Sequence, residues 1–233
     1  PWMLFGEDKM SKSKGNVIYA DDLVRHFGVD AVRYYSLHEM PYAQDGTITY
    51  ETFIARYNTE LANTLGNLVN RTVAMVNKYF DGILYKDGEK GDFDDDLIKT
   101  AYKAKADMAA AMEDLHVADA MDAVWDLIRR SNKYIDETMP WALAKDENGR
   151  ERLKAVLYNL VESIRYIAVM LKPFMPETSE KIAQQTNCGS LTWESLENFG
   201  AVADGTKVGT ATPLFARIDE AKKLEELKNE QSV

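Results

Sequence analysis

Lys9, Lys12 and Lys14 place three ammonium groups within six residues, interleaved with Ser11, Ser13 and Gly15. Serines and a glycine let the backbone approach a ligand closely. Lysines act as mobile point charges that offset charge developing on phosphoryl oxygens. The chemistry of such a loop is polyphosphate binding. Taken without context, a Lys/Ser-rich stretch also reads as a solvated basic loop.

A phosphate loop needs elements to hold it. The apolar run at residues 2–5 reads as a buried strand before it, and "YADDLVRHFG" as a short helix after it, acidic at its start and ended by Gly28. "VDAVRYYSLHEM" reads as a second helix ended by Pro41, and Thr47 to Tyr50 as a short strand. From residue 51 to about 80, apolar residues recur at helical spacing. Gly66 inside that run costs about 1 kcal/mol against alanine and so marks close packing. Further helices are expected at about 94–112 and 116–138, and a strong amphipathic one in "GRERLKAVLYNLVESIRYIAVMLKPFMP", stopped by Pro173 and Pro176, with short ones opening at Pro140 and Pro176. Residues 188–216 are turn-rich, "ATPLFARID" reads as extended, and a charged helical tail follows, read as frayed or as cut from something longer. The sum is an all-α protein: a helical bundle preceded by a small mixed α/β segment.

Composition narrows the possible functions. The 233 residues carry a net charge of −10 and are 45% hydrophobic, which suits a globular core. That charge argues against a large nucleic-acid surface but leaves room for a local one. Residues 81–100 hold seven acidic and three basic side chains, whereas residues 51–80 hold two acidic and three basic. An anionic partner should avoid the first stretch. The single cysteine, Cys188, forms no internal disulfide, so a reducing, cytoplasmic setting is expected. No apolar run reaches the roughly 18 residues of a membrane span. His26, His38 and His116 have no ligand-like spacing, and no metal site is expected.

The string Lys9-Met10-Ser11-Lys12-Ser13 is identical to the KMSKS signature of class I aminoacyl-tRNA synthetases, and Lys14-Gly15-Asn16 fits its usual context. From "DDLVRHFGVDAVRYYSLHEM" through "LANTLGNLVNRT", "MPWALAKD", "KPFMPETSEKI" and "PLFARID", residues 1 to about 218 resemble the methionyl-tRNA synthetase family. The resemblance implies four parts: the end of a catalytic domain with its KMSKS loop (1–20), a stem-contact segment (21–52), an anticodon-binding helical bundle (53–187), and a return segment with a charged tail (188–233). It implies ATP contacts at Lys9, Met10, Ser11, Lys12 and Ser13, with Lys9 and Lys12 on the phosphates. It also implies anticodon readers at Asn67, Arg71 and Trp141. An i, i+4 spacing puts Asn67 and Arg71 on one helix face. Trp141 offers a stacking surface worth about 1–3 kcal/mol per base. Asn67 can donate and accept at a base edge, and Arg71 can bind phosphate or base. Without the resemblance, Trp141 would read as core, Asn67 as one solvated amide among several, and Arg71 as half of a surface ion pair. Trp2, Trp125 and Trp193 read as packing residues.

No HIGH-like signature occurs in the chain. The implied parent enzyme ligates methionine to a CAU-anticodon tRNA using ATP with Mg2+. The chain alone is expected to be catalytically silent and to bind no cofactor, because substrate positioning is lost. The tail is compatible with a linker to a further tRNA-binding or dimerisation domain. Two alternatives stand beside this reading. One is the matching part of a leucine, isoleucine, valine or cysteine synthetase, against which Asn67, Arg71 and Pro140-Trp141 argue. The other is a non-catalytic helical interaction module, for which the net charge of −10 argues.

Overall fold

The computed structural model describes residues 2–6, 8–11, 13, 17–39 and 45–231. It begins with a three-stranded mixed sheet in the order β2-β1-β3. Strand β1 (Met3–Phe5) pairs antiparallel with β2 (Asp8–Lys9) and parallel with β3 (Gly46–Ile48). β1 is only partly covered and Met3 is exposed, unlike the buried strand expected, because so small a sheet leaves much of its surface open. The crossover from β1 to β3 carries α1 (Ala20–Phe27) and α2 (Val29–Tyr34). They meet at Gly28, whose φ of 84° is the left-handed region that glycine enters without penalty. α2 runs on into a π-helical turn at Tyr35–Glu39. β3 ends at Ile48, not at Tyr50, because Thr49 and Thr52 form a reciprocal capping box that starts a helix there.

That helix is one continuous rod in three parts: α3 (Tyr50–Arg56), a π-helical stretch (Tyr57–Gly66) and α4 (Asn67–Phe80). A π-helical turn widens the backbone and frees carbonyls from their usual partners. Asn132 answers one of them, donating from Nδ2 to the Thr64 carbonyl at 3.0 Å. Gly66 closes the π stretch. A Cβ there would lie 3.0 Å from the Leu61 carbonyl oxygen and 4.0 Å from the Phe215 backbone nitrogen, so the close packing expected at this glycine is present.

The bundle proper consists of α5 (Asp94–Glu113), α6 (Val117–Thr138), the single turn α7 (Pro140–Leu143), α8 (Arg150–Leu171) and α9 (Pro176–Thr186). α8 is its axis. From Leu160 to Leu171 every residue is buried, since α4, α5, α6, α9 and a 3-10 turn at Trp193–Glu197 all pack on it. The expected amphipathic stripe is therefore an all-round buried surface. Its two charges compensate each other: Arg165 donates to Glu162 at 2.8 Å and to the carbonyls of Ser195 and Asn198. Glu162 also accepts from the Val202 amide. These bonds tie the turn-rich return segment onto the axis. "ATPLFARID" forms no strand, but Asn58 and Ile218 exchange two hydrogen bonds of 2.9 Å.

The tail is not frayed over its described length. α10 (Glu220–Gln231) turns back onto the N-terminal segment, with Leu227 only 3% exposed. The mixed segment and the bundle are also joined directly. Buried Asp30 accepts from the Thr178 amide at 2.6 Å, in the first turn of α9. Arg33 donates to the carbonyls of Phe174 and Pro173, which the end of α8 leaves without helical partners.

Candidate functional site

The basic loop leaves the sheet through β2. Lys9 is exposed, with its Nζ 4.7 Å from the centre of the Trp2 ring. Met10 tucks partly against the core, and the hydroxyls of Ser11 and Ser13 share a 2.8 Å hydrogen bond. Lys9, Ser11 and Ser13 supply an ammonium group and two hydroxyls, donors suited to phosphate oxygens. Lys12, Lys14, Gly15 and Asn16 lie outside the described residues. Trp2, expected as a packing residue, is 63% exposed beneath Lys9. Trp125 is buried in the core, and Trp193 packs partly against it.

The second site is built by two elements far apart in sequence. Asn67 opens α4 where the π stretch ends, and its side chain is exposed. Arg71 follows one helical turn later on the same face. Trp141 is carried by α7, which exists because the chain reverses sharply after α6. Met139 takes a left-handed φ of 43°, and buried Pro140 starts the turn with its φ already set. Tryptophan at the next position is thereby held outward, 41% exposed. The turn from α7 to α8 then passes Gly149, where a Cβ would lie 2.3 Å from the Leu143 carbonyl oxygen. Only glycine fits that approach.

The result brings Arg71 and Trp141 together. The guanidinium carbon lies 5.9 Å from the centre of the Trp141 ring, within cation–π range. Arg71 Nη2 also lies 3.8 Å from Asp136, whose carboxylate is largely solvated. A long, exposed pair of this kind is weak and can be exchanged for another anion. An amide, a guanidinium plane and an indole therefore stand on one exposed face. Such groups can pair with a base edge and sandwich an unstacked base. Asp136 was not singled out from the sequence. Its spacing from Trp141 could have placed it near the reversal, but not opposite Arg71.

A third group had no sequence signal. His26, Glu226 and Glu230 present ligand atoms within 4.8 Å of one another, although about 200 residues separate them. Their negative charge is already met by cations. Arg25 bonds Glu230 at 3.0 Å, and Lys223 bonds both Glu226 and His26. The cluster docks α10 on α1.

Two family profiles cover most of the chain. One, described as tRNA synthetases class I (M), matches residues 1–73, and the other, the anticodon binding domain of methionyl tRNA ligase, matches residues 84–231. Asn67 and Arg71 fall in the first and Trp141 in the second. Among curated relatives, the methionine–tRNA ligase of Clostridium acetobutylicum is 51% identical over 226 residues, 97% of this chain and 35% of the relative. That of Bacillus subtilis is 45% identical over 232 residues, again 97% and 35%. The chain thus spans about a third of the length of these relatives. Among solved structures, Mycobacterium tuberculosis methionyl-tRNA synthetase in complex with methionyl-adenylate superposes with a TM-score of 0.86 at 33% identity. That match covers 93% of this chain and 43% of the other.

Proposed function

The chain belongs to the anticodon-binding domain family of methionyl tRNA ligase, and on that premise we propose that it reads the CAU anticodon of the methionine tRNA. Its parent enzyme would join methionine to that tRNA through methionyl-adenylate in the cytoplasm, with ATP and Mg2+. Asn67 and Arg71 would hydrogen-bond the edges and backbone of splayed loop bases, and Trp141 would stack one of them. Lys9, Met10, Ser11, Lys12 and Ser13 would form the loop over the ATP phosphates, with the ammonium groups of Lys9 and Lys12 facing charge on the departing pyrophosphate. The parts would divide as 1–20 for the loop, 21–52 for stem contact, 53–187 for the reader bundle and 188–233 for the return. With no HIGH-like string in its sequence, the chain by itself would form no adenylate.

The observation that carries the anticodon reading is the Arg71 guanidinium 5.9 Å from the centre of the exposed Trp141 ring, on a face where Asn67 is also exposed. The test is a titration of the chain with a short RNA hairpin bearing CAU against one with a changed loop, at low salt. The chain should prefer CAU. Trp141→Ala should weaken CAU binding by about 1–3 kcal/mol, roughly 5- to 150-fold in Kd, and remove the preference. Equal binding of both hairpins by the unaltered chain would sink the site assignment.

A further inference from the structure

Docking α10 on α1 needs an apolar contact, and buried Leu227 supplies it. The polar group beside it is built differently. His26 stands in the last turn of α1 with its side chain only 6% exposed. Glu226 and Glu230 lie one turn apart on α10, so both carboxylates leave the same face of that helix. Each of the three offers one ligand atom, and all lie within 4.8 Å of one another. Among the described residues no other trio of histidine, cysteine or carboxylate side chains is so placed. Ligands about 2 Å from one ion stand roughly 3–4 Å apart, so the half-exposed glutamates need only small side-chain rotations to close on one. The contacts around the ring mark where that ion would sit. Nδ1 lies 3.7 Å from a Glu226 oxygen, and the Lys223 ammonium stands against both, 3.1 Å from Nδ1 and 3.0 Å from Glu226. An ammonium can only donate, so Nδ1 turns its lone pair toward this seat. Nε2 lies 3.1 Å from Glu230, whose charge Arg25 meets at 3.0 Å from the outer side. A cation already occupies the seat, held on a flexible stem that can turn its ammonium out to water.

We propose that His26, Glu226 and Glu230 form a zinc site in which the ion displaces the Lys223 ammonium and staples α10 to α1. His26 Nδ1 and Glu226 are its first ligands, Glu230 turns in from Nε2 as the third, and water takes the remaining position. One imidazole and two carboxylates suit Zn2+, whereas Mg2+ prefers an all-oxygen octahedral shell. Two of the ligands belong to α10 and one to α1, so the site is complete only while the tail is docked. Zinc therefore stabilises the docked tail by mass action. The site is separate from the Asn67–Arg71–Trp141 face and does not depend on the anticodon reading.

The test is a calorimetric titration of the untagged chain with Zn2+ and, separately, with Mg2+, followed by Tm and by hydrogen exchange. One zinc ion should bind per chain, raise Tm and slow exchange in α10 and α1, and Mg2+ at the same concentration should do none of these. His26→Gln and Glu230→Gln should each weaken zinc by at least about 10-fold, the loss that even an outer-shell partner costs. Glu230→Gln changes a half-exposed carboxylate on the outer helix, so it decides the matter even where His26→Gln disturbs folding. Lys223→Ala should act in the opposite direction and tighten zinc binding, because it removes the competing ammonium. An unchanged affinity in Lys223→Ala would put the ion elsewhere and overturn the site. Zinc binding that survives both His26→Gln and Glu230→Gln would be adventitious association with the exposed acids of the chain, and would overturn it too. Absence of saturable zinc binding by the unaltered chain would leave Lys223 as the permanent cation of a docking contact.

Discussion

His38 shows how a single residue becomes a joint. Its Nδ1 lies 2.7 Å from Glu39 and its Nε2 3.1 Å from Asp122 on α6, while its ring stacks on Tyr34. Arg56 draws on the other Glu39 oxygen at 2.9 Å. Burial alone would lower the His38 pKa, but the hydrogen bonds and charges of Glu39 and Asp122 outweigh it, so the pKa is raised. A raised folded pKa means that this joint stabilises fully below the unfolded value of about 6.5 and fades as pH rises through the folded value. Thermal stability should therefore decline from about pH 6 toward pH 8. In His38→Gln that part of the decline should vanish, as read by Tm across a pH series. An identical pH profile in the variant would refute the joint. Glu39 behaves oppositely. Burial alone would raise its pKa, but His38 and Arg56 prevail and lower it, so its contribution is lost as pH falls.

At the scale of elements, the proposed reader face depends on the short turn that carries Trp141. α7 has four residues and would not persist alone. Its position is set by Met139 on one side and Gly149 on the other. At Gly149→Ala the added methyl would meet the Leu143 backbone oxygen at 2.3 Å, so α7 must shift. The expected cost is about 1–3 kcal/mol of stability. CAU preference should also fall, because Trp141 would leave its place over Arg71. Unfolding curves together with the two-hairpin titration check both. A destabilised variant that kept full preference would show that α7 does not position the tryptophan. The π stretch works similarly on the other element. It ends at Gly66, and the helix restarts in α form at Asn67, which sets the angular position of Asn67 and Arg71, the two readers proposed on α4.

For the whole molecule, packed joints among the described residues tie the N-terminal segment to the bundle that carries the proposed reader face. Asp30 and Arg33 clamp the turn between α8 and α9, His38 meets α6, and α10 closes back over α1 and α3. Leu227 is the buried apolar anchor of that last contact. Leu227→Ala should cost about 2–5 kcal/mol where the surroundings cannot collapse. Hydrogen exchange should rise in α10 and α1 while α8 keeps its protection, since local openings follow packed units. Uniform loss of protection through the bundle would mean instead that α10 is part of one cooperative core.

Sequence by itself determined the helices, because apolar spacing, prolines at first turns and glycines at ends are local signals with local causes. It also supplied the loop motif and the three residues proposed as readers. It did not reveal that α8 is buried on every side, because the hydrophobic pattern cannot count how many neighbours a helix has. Nor did it reveal the π stretch, whose widened turn is supported by Asn132 from another helix. Tertiary structure alone decided that Arg71 comes within cation–π range of Trp141, seventy positions later, and that His26 meets Glu226 and Glu230. It also decided that the charged tail docks instead of fraying. Each of these depends on which surfaces meet when the chain turns back. Burial and charge pairing fix that for the molecule as a whole, and no window of neighbouring residues contains it.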